Sequence, residues 1–596
     1  MLAPRPAAAQ FVCQSTDGTG QGGNAAGSAG NLACGPNANS STASSGGGSI
    51  AIGANTNANG FGTIGVTNLH NIAIGSGDAS TAGANATGNG ANNIAIGSAS
   101  DGTGNASANV ALGFGANAAA PVFFGQNVAI GGSGTLATAA NASGSVSMNV
   151  AIGSGANATG SGSIPLGFAP AANLSIGANS SASGNASFNN ASGAAANASG
   201  DGSANTANGS FANASGAGSN NTAIGTGANA SGNSTANVAI GFSSTATGSF
   251  STANGSNSTA AARIASAFGA FADAGGTFNN AGTTAVGSGA LAGTAAAGET
   301  FATALGANAA AQGANAIAIG GNNATGAGNA AFANGANAIA LGNGAQANGG
   351  SSIAQGFGAS ASGNNAIAIG INAISAANST VIGPGASDNG FANASVYGVN
   401  AQVGAFGNTA IGDSANAGAT NAVAIGQNSV AAAANSTAIG QGATVQATAT
   451  NAVAIGQGSI ATAPNTVSFG SAGNERRLTN VAAGINSTDA VNVGQLQSTV
   501  AGFQSQIGGL QNEIGANQQE ERRGIVAAVA VAPVLMPSAP GKTTVAFNTG
   551  YYRGETGVGV GVSHRLNFAL PTVIYGSYSN GGGAEHIGRA GMAVEF

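Results

Sequence analysis

A short apolar burst that ends in glycine recurs along the first 470 residues of the chain. It reads NAVAIG at residues 421–426 and NSTAIG at 435–440, and glycines 14 positions apart occupy 412, 426 and 440. Elsewhere the step drifts up to about 22 residues, which indicates turns that accept insertions. A repeat of this kind predicts a solenoid, in which each coil packs only against its neighbours.

Each burst predicts one short strand. The β-branched residues lie two apart and therefore share one face, while the alanine between them lies on the other. We expect Val423, Ile425 and Ile439 to point inward and stack as an aliphatic ladder from coil to coil. Gly426 and Gly440 would turn the chain. Because so thin a core is weak, the pattern favours lateral association of identical chains.

Composition separates this repeat from a disordered linker. Only 4% of the residues are charged and 105 are glycine, yet 43% are hydrophobic and regularly placed. Lys542 is the single lysine, so we expect no basic patch and no nucleic-acid partner. Apolar runs fall short of the roughly 18 residues that a membrane-spanning helix needs, so membrane insertion would have to use strands.

The N-terminal segment carries two further signals. Small residues at 7–9 (AAA) before Gln10 match a signal-peptidase site, although an ordinary tail is the alternative. Cys13 and Cys34 are the only cysteines; in an exported chain they could form one disulfide, and two unpaired thiols are the other reading. Two cysteines alone do not build a zinc site, and we expect no metal or other cofactor.

After Gly470 charged and longer side chains return. From Val493 the apolar positions alternate at spacings of three and four, which predicts a coiled coil. β-Branched residues at the first heptad position favour two strands over three, and Asn517 would be a polar core position that fixes the register. The predicted core residues are Val493, Leu496, Val500, Phe503, Ile507, Leu510, Ile514 and Asn517.

Residues 542–596 carry four segments of strand length, at 543–552, 556–565, 571–579 and 587–596. The last alternates an apolar face that ends in Phe596 with a polar one, as in a strand between lipid and a polar lumen. Four strands cannot close a membrane barrel, for which eight is the smallest common number. The barrel would therefore be shared, with eight strands from two chains or twelve from three.

These motifs together resemble the YadA-like trimeric autotransporter adhesins of Gram-negative outer membranes. The neck is the most specific match, with RRLTNVA at 476–482 and DAVNVGQL at 489–496. The resemblance implies a mainly β fold: a parallel β-roll head as a homotrimer, a short trimeric coiled-coil stalk, and a C-terminal transmembrane β-barrel of four strands from each of three chains. It overrules the two-stranded preference of the heptad.

The resemblance also implies domains and site residues. The expected divisions are a leader remnant at 1–9, a low-complexity segment at 10–49, the head at 50–473, the neck at 474–495, the stalk at 496–523, a pore helix or linker at 524–541 and the anchor at 542–596. Neck and trimer contacts fall to Arg476, Asp489, Val491, Asn492, Gln495 and Leu496. Asn517 becomes a candidate anion site. Export would use small residues at Ala527, Ala528 and Ala530, and the outer-membrane assembly machinery would recognise Phe596.

The function implied is a surface adhesin that exports its own head by type V secretion. It would sit in outer-membrane lipid and attach to host extracellular matrix, cells or surfaces, with no receptor-binding residue assigned. A passive coat or autoaggregation factor is the alternative. A β-solenoid carbohydrate-active enzyme would need clustered carboxylates or a base, whereas residues 35–470 hold eight scattered charges and one histidine, His70.

Overall fold

The computed structural model describes residues 30–41, 48–60, 70–162, 170–322 and 330–596, together with 11–12, 23 and 25; positions 79, 123, 134, 136 and 137 are excepted. The chain divides into two units, Met1–Glu475 and Arg476–Phe596. Residues 7–10, which carry the predicted leader site, lie outside the described residues, and so does Cys13. Cys34 is disulfide-bonded.

The first unit is a solenoid of short parallel strands. Over the described ranges, 28 strands form one parallel sheet, in which each strand pairs with its counterpart one coil later. Val423 pairs with Thr437 and Ile425 with Ile439, so the glycine period marks true coils and the predicted solenoid is confirmed. Two of these strands, Phe11–Val12 and Leu32–Cys34, precede residue 50, the predicted start of the head. The strands are Phe11–Val12, Leu32–Cys34, Ile50–Ile52, Ile72–Ile74, Ile94–Ile96, Val110–Leu112, Val128–Ile130, Val150–Ile152, Leu174–Ile176, Asn190–Ser192, Thr206–Asn208, Thr222–Ile224, Val238–Ile240, Thr252–Asn254, Ser266–Phe268, Thr284–Val286, Thr303–Leu305, Ile317–Ile319, Ile339–Leu341, Ile353–Gln355, Ile367–Ile369, Thr380–Ile382, Ser395–Tyr397, Thr409–Ile411, Val423–Ile425, Thr437–Ile439, Val453–Ile455 and Val467–Ser468.

A second parallel ladder forms the other wall of the coil. Among the described residues it comprises sheets of nine and five strands, which Ser387 joins by bridges to Ile374 and Gln402. Towards the N-terminus it continues as single bridges, such as Asn229 to Thr245. Its strands are Thr245–Ala246, Thr259–Ala260, Asp273–Ala274, Leu291–Ala292, Ala310–Ala311, Phe332–Ala333, Gln346–Ala347, Ser360–Ala361, Ile374–Ser375, Gln402–Val403, Asn416–Ala417, Val430–Ala431, Thr444–Val445 and Ile460–Ala461.

Small residues fill the coils, and the aliphatic ladder lies outside. Ala424 is fully buried, whereas its neighbours Val423 and Ile425 are half-buried, and Ile439 is 40% exposed. The interior of the solenoid is lined almost entirely by alanine. The prediction that Val423, Ile425 and Ile439 point inward is therefore wrong. Apart from alanine, four valines, Val381, Val396, Val403 and Val445, are fully buried in the coils, so the space between the walls takes small side chains and leaves isoleucine, leucine and phenylalanine outside.

Two features of the backbone require glycine after each burst. Gly426 lies at φ 128° and Gly440 at φ 129°, a backbone region that residues with a Cβ rarely adopt. A Cβ on Gly426 would also lie 2.5 Å from the carbonyl group of Gly440 in the next coil. The turning role predicted for these two glycines is confirmed.

Longer coils occupy the N-terminal part of the solenoid. From Asn71 to Asn237 each coil places a buried asparagine before its strand, at steps of 16 to 24 residues. The backbone N–H of Asn205 donates to Oδ1 of Asn189 at 3.1 Å, and Nδ2 of Asn189 donates to the carbonyl of Gly200 at 2.9 Å. This ladder of asparagine side chains holds the additional turn that makes these coils longer. After Asn237 most steps shorten to about 14 residues, with longer ones such as Ser266 to Thr284 and Ile317 to Ile339.

The second unit contains the helix Val493–Ala530 and the antiparallel strands Thr543–Tyr552, Glu555–Leu566, Thr572–Asn580 and His586–Val594. The strands form one four-stranded sheet in chain order, which confirms the four predicted segments. The helix runs without a break through residue 523, over 38 residues. Among the described helices, none has the length and apolarity to cross a membrane.

Candidate functional site

The outer face of the 28-stranded sheet is an aliphatic stripe. Its members lie at the last position of most strands, with polar interruptions such as Asn208, Asn254 and Gln355, and the isoleucines named below are 36–40% exposed in the single chain. Soluble monomers rarely leave so long an apolar surface open to water. The stripe therefore needs a partner surface. It includes Ile52, Ile96, Ile130, Ile176, Ile224, Ile411, Ile439 and Ile455.

The turns beside this stripe present neutral amides. Asn421, Asn435 and Asn451 each donate from Nδ2 to the Oδ1 of the corresponding asparagine one coil later, at 3.1 Å, and the series ends at Asn465. The described residues contain no group of three or more His, Cys, Asp or Glu side chains that could hold a metal ion. The head surface can thus offer many repeated hydrogen-bonding groups and little charge.

The neck ties a loop to the start of the helix. Oδ1 of Asn492 accepts from the backbone N–H of Gln495 at 2.9 Å, and Oε1 of Gln495 accepts from the backbone N–H of Asn492 at 3.3 Å, which is a capping box. Nε2 of Gln495 also donates to the carbonyl of Gly484 at 2.8 Å, and Nδ2 of Asn492 donates to that of Val481 at 3.1 Å. Both side chains thus fix the neck within one chain.

A carboxylate holds the turn that precedes this cap. Oδ2 of Asp489 accepts from the backbone N–H groups of Ile485 and Asn486, both at 2.9 Å. The N–H groups of Asn486 and Ile485 lower the pKa of the Asp489 carboxyl below its usual value because they stabilise the ionised form. Arg476, Val491 and Leu496 are exposed, so the predicted contacts of the neck residues with other chains stay a prediction.

The predicted stalk core forms one apolar stripe on the helix. Its members lie at heptad spacing and are 44–69% exposed in the single chain, and Asn517 continues the series, also exposed. A helix that leaves such a seam open has the form of one strand of a coiled coil. The stripe comprises Val493, Leu496, Val500, Phe503, Ile507, Leu510 and Ile514.

The C-terminal end of the helix packs on the anchor sheet through small residues. Ala527 and Ala530 are fully buried, whereas Ala528 is exposed. Oγ of Ser579 donates to the carbonyl of Ala527 at 2.6 Å, and a Cβ on Gly559 would collide with the carbonyl of Ala530. The close approach of helix and sheet therefore depends on glycine and alanine.

An ion pair joins the helix to the second anchor strand. Nε of Arg523 lies 3.2 Å from Oε2 of Glu555, and Nε2 of Gln519 donates to Oε1 of the same carboxylate at 2.9 Å. Sequence reasoning missed this pair, although opposite charges in so charge-poor a chain were a usable signal. Phe596 follows the last strand with its side chain fully exposed.

Comparison with known proteins covers all three parts of the chain. Models of the coiled stalk of trimeric autotransporter adhesins and of the YadA-like membrane anchor domain match residues 477–519 and 535–596. The YadA head domain repeat matches residues 150–168, 238–260, 297–323, 347–373, 409–429, 417–443 and 447–472. The chain belongs to the YadA-like trimeric autotransporter adhesins. The resemblance read from the head repeats, neck and anchor is thereby confirmed.

Two relatives of this adhesin illustrate the match. The autotransporter adhesin NhhA of Neisseria meningitidis serogroup B is 33% identical over 87 residues, which span 15% of this chain and 14% of NhhA. The collagen-binding domain of the Yersinia adhesin YadA is 36% identical, over 31% of this chain and 97% of that domain, with a TM-score of 0.25.

Family membership indicates where this YadA-like adhesin lies in the cell envelope. Its anchor lies in the outer membrane, and its solenoid head is exposed at the cell surface. The fold is mainly β, with a parallel solenoid, one stalk helix and a four-stranded anchor. Its family consists of adhesins rather than enzymes.

Proposed function

We propose that this protein is a homotrimer that exports its own head and attaches the cell to host extracellular matrix, other cells or surfaces. The observation that carries the proposal is the aliphatic stripe outside the coils, which a single chain leaves open. Ile96, Ile224 and Ile439 are each 39–40% exposed along it. Burying such side chains against identical chains stabilises the assembly by about 25 cal/mol per Å² of apolar area.

Stalk and anchor need the same partners. The seam from Val493 to Ile514 has no cover in one chain, and the anchor supplies only four strands. Three chains would provide twelve strands, enough for a closed membrane barrel set in outer-membrane lipid. In the trimer, Asn517 would bring three amides together as a candidate anion site. Exposed Val491 and Leu496 would contact neighbouring chains at the neck.

Export would proceed through the anchor. Ala527, Ala528 and Ala530 are slim enough to pass as part of a hairpin during export, and the helix then fills the lumen. Phe596 is accessible at the C-terminus for recognition by the outer-membrane assembly machinery. These roles rest on the family resemblance and on the small size of the residues that lie against the sheet.

Adhesion would arise from repetition. The outer amides recur in consecutive coils, as in the series from Asn421 to Asn465, and three chains multiply them. Many weak contacts that act together gain strength by avidity.

The proposal can be tested by expression on a non-adherent bacterium. Cells that display the full chain should bind at least one of a panel of matrix proteins, host cells and plastic. The control is a chain that lacks residues 50–473, displayed at equal density, which should bind none of them. Equal binding by both strains would contradict an adhesive head, and failure of both to bind would favour the passive coat.

A further inference from the structure

A polar groove runs along the longer coils of the head. Two clefts, of about 450 and about 530 Å³, open at one corner of successive coils between residues 57 and 201, and Pro121 lines both of them. The first is lined mainly from Asn57 to Asn105, and the second from Ser143 to Asp201. The described coils after Asn237 do not contribute to either cleft.

Hydroxyl groups form one wall of the groove. Backbone hydrogen bonds from Gly104 to Thr87, from Gly184 to Thr159 and from Gly200 to Ser183, at 2.8–2.9 Å, show that these positions are stacked coil on coil. A hydroxyl residue therefore recurs at the same place in most coils. The row contains Thr87, Thr103, Ser143, Thr159, Ser183 and Ser199.

Glycine forms the floor. A Cβ on Gly88 would collide with the carbonyl of Gly104 one coil later, and a Cβ on Gly160 would collide with that of Gly184. A side chain at either glycine would have to move the backbone, so the floor is bare there; Ala120, which pairs with Gly104, is the exception. The depth of the groove is thus built into the stacking of the coils.

Internal hydrogen bonds hold the walls in place. Nδ2 of the buried Asn109 donates to the carbonyl of Thr103 at 2.8 Å, and backbone N–H groups donate to Oδ1 of Asn105 and of Asn185 at 2.9 and 3.0 Å. These bonds do not use the hydroxyl of Thr103 or the Nδ2 groups of Asn105 and Asn185. Those groups can therefore bond to a ligand. Rigid polar groups of this kind reduce the ordering cost of binding.

The chemistry of the walls selects the ligand. Among the described residues, Asp201 is the only charged one that lines the clefts, and neither Lys nor Arg does, which disfavours anionic ligands. Stacked coils are about 4.8 Å apart, close to the length of one sugar in an extended β-1,4-linked chain. We propose that this groove binds a neutral, extended β-1,4-linked polysaccharide along the stack of coils. The inference rests on the proposed surface adhesion and names a ligand class for it.

The test uses the full chain, purified in detergent, and calorimetric titration with two neutral hexasaccharides, cellohexaose and fully N-acetylated chitohexaose. Wild-type protein should bind at least one of the two. The double variant Thr103→Val, Thr159→Val keeps side-chain volume but removes two hydroxyls, and its affinity should fall about tenfold. Thr→Ser at the same positions should restore binding. The matched control, Thr259→Val with Thr444→Val, alters two hydroxyls outside the clefts and should bind like the wild type.

Three results would overturn the inference: no binding of either hexasaccharide by the wild type, equal loss in the control variant, or tighter binding of a heparin hexasaccharide. Binding by purified protein can be separated from adhesion by cells. If displayed chains adhere but the purified chain binds neither sugar, only the sugar-binding role of the groove is contradicted. Sugar binding without any adhesion by displaying cells would defeat the proposed function instead.

Discussion

At the level of single residues, alanine sets the width of the coil. Ala424 and Ala438 lie fully buried on the inner face of paired strands, where a close-packed interior has little room for more atoms. The longer side chains on either side of them can only point outward. The choice of alanine thus creates both the thin core and the outer aliphatic stripe.

Enlarging one such residue should therefore destabilise the head. Ala424→Leu should lower the free energy of unfolding by about 1–3 kcal/mol or more, because inserted methylenes force neighbouring strands apart. Thermal unfolding of the purified chain, followed by circular dichroism, measures the change. Ala463→Leu serves as the control, since Ala463 is exposed and should tolerate the same substitution. Similar losses in the two variants would refute the crowded interior.

The neck should respond to acid through Asp489. Hydrogen bonds from Asn486 and Ile485 depress the pKa of this carboxyl in the folded state, so its ionised form stabilises the turn above the unfolded pKa of about 3.9. That stability is lost as pH falls through the depressed folded value. Wild-type protein should therefore melt at a lower temperature at pH 3 than at pH 6. Asp489→Asn keeps an acceptor that does not titrate, so it should show a smaller difference between the two pH values.

At the level of elements, the period of the sequence predicts the positions of the strands better than it predicts which face of each strand is buried. Alternation at Val423, Ala424 and Ile425 correctly placed a strand and separated its faces, but a period of two does not say which face is inside. That depends on the distance between the two walls, which follows from how two ladders close into one coil. The groove likewise depends on how the coils stack. The tripeptides around Gly104 and Gly160 look like loop sequence, and they form a groove only once the asparagine ladder has aligned successive coils.

The contact between helix and anchor sheet should depend on one glycine. Gly559→Val would place a branched side chain against the carbonyl of Ala530, so the helix could not settle on the sheet. We expect a loss of heat-resistant oligomer from outer-membrane fractions, read by electrophoresis without boiling. Gly588→Val in the fourth strand meets no atom within 4 Å and should assemble normally. Normal assembly of both variants would show that the close approach is dispensable.

At the level of the whole molecule, every part leaves an apolar face without a partner. The head exposes its aliphatic stripe, the stalk exposes the seam that includes Phe503 and Leu510, and the anchor has too few strands to close. The sequence alone predicted the need for identical chains from the weak core and the strand count. Its heptad indicated two chains, because coiled-coil rules weigh only the seam, whereas family membership points to three.

The outer stripe should be the surface on which the chains of the head meet. Ile425→Asn with Ile439→Asn places amides where apolar side chains would be buried, at a cost of about 1.5–3 kcal/mol per residue in each chain. Chemical cross-linking of the full chain on cells should then yield fewer trimers across the head. Ile374→Asn with Ile460→Asn makes the same exchange at 39–45% exposed positions on the second ladder and should leave trimers intact. Loss of trimers in this second pair alone would place the interface on the opposite wall of the coil.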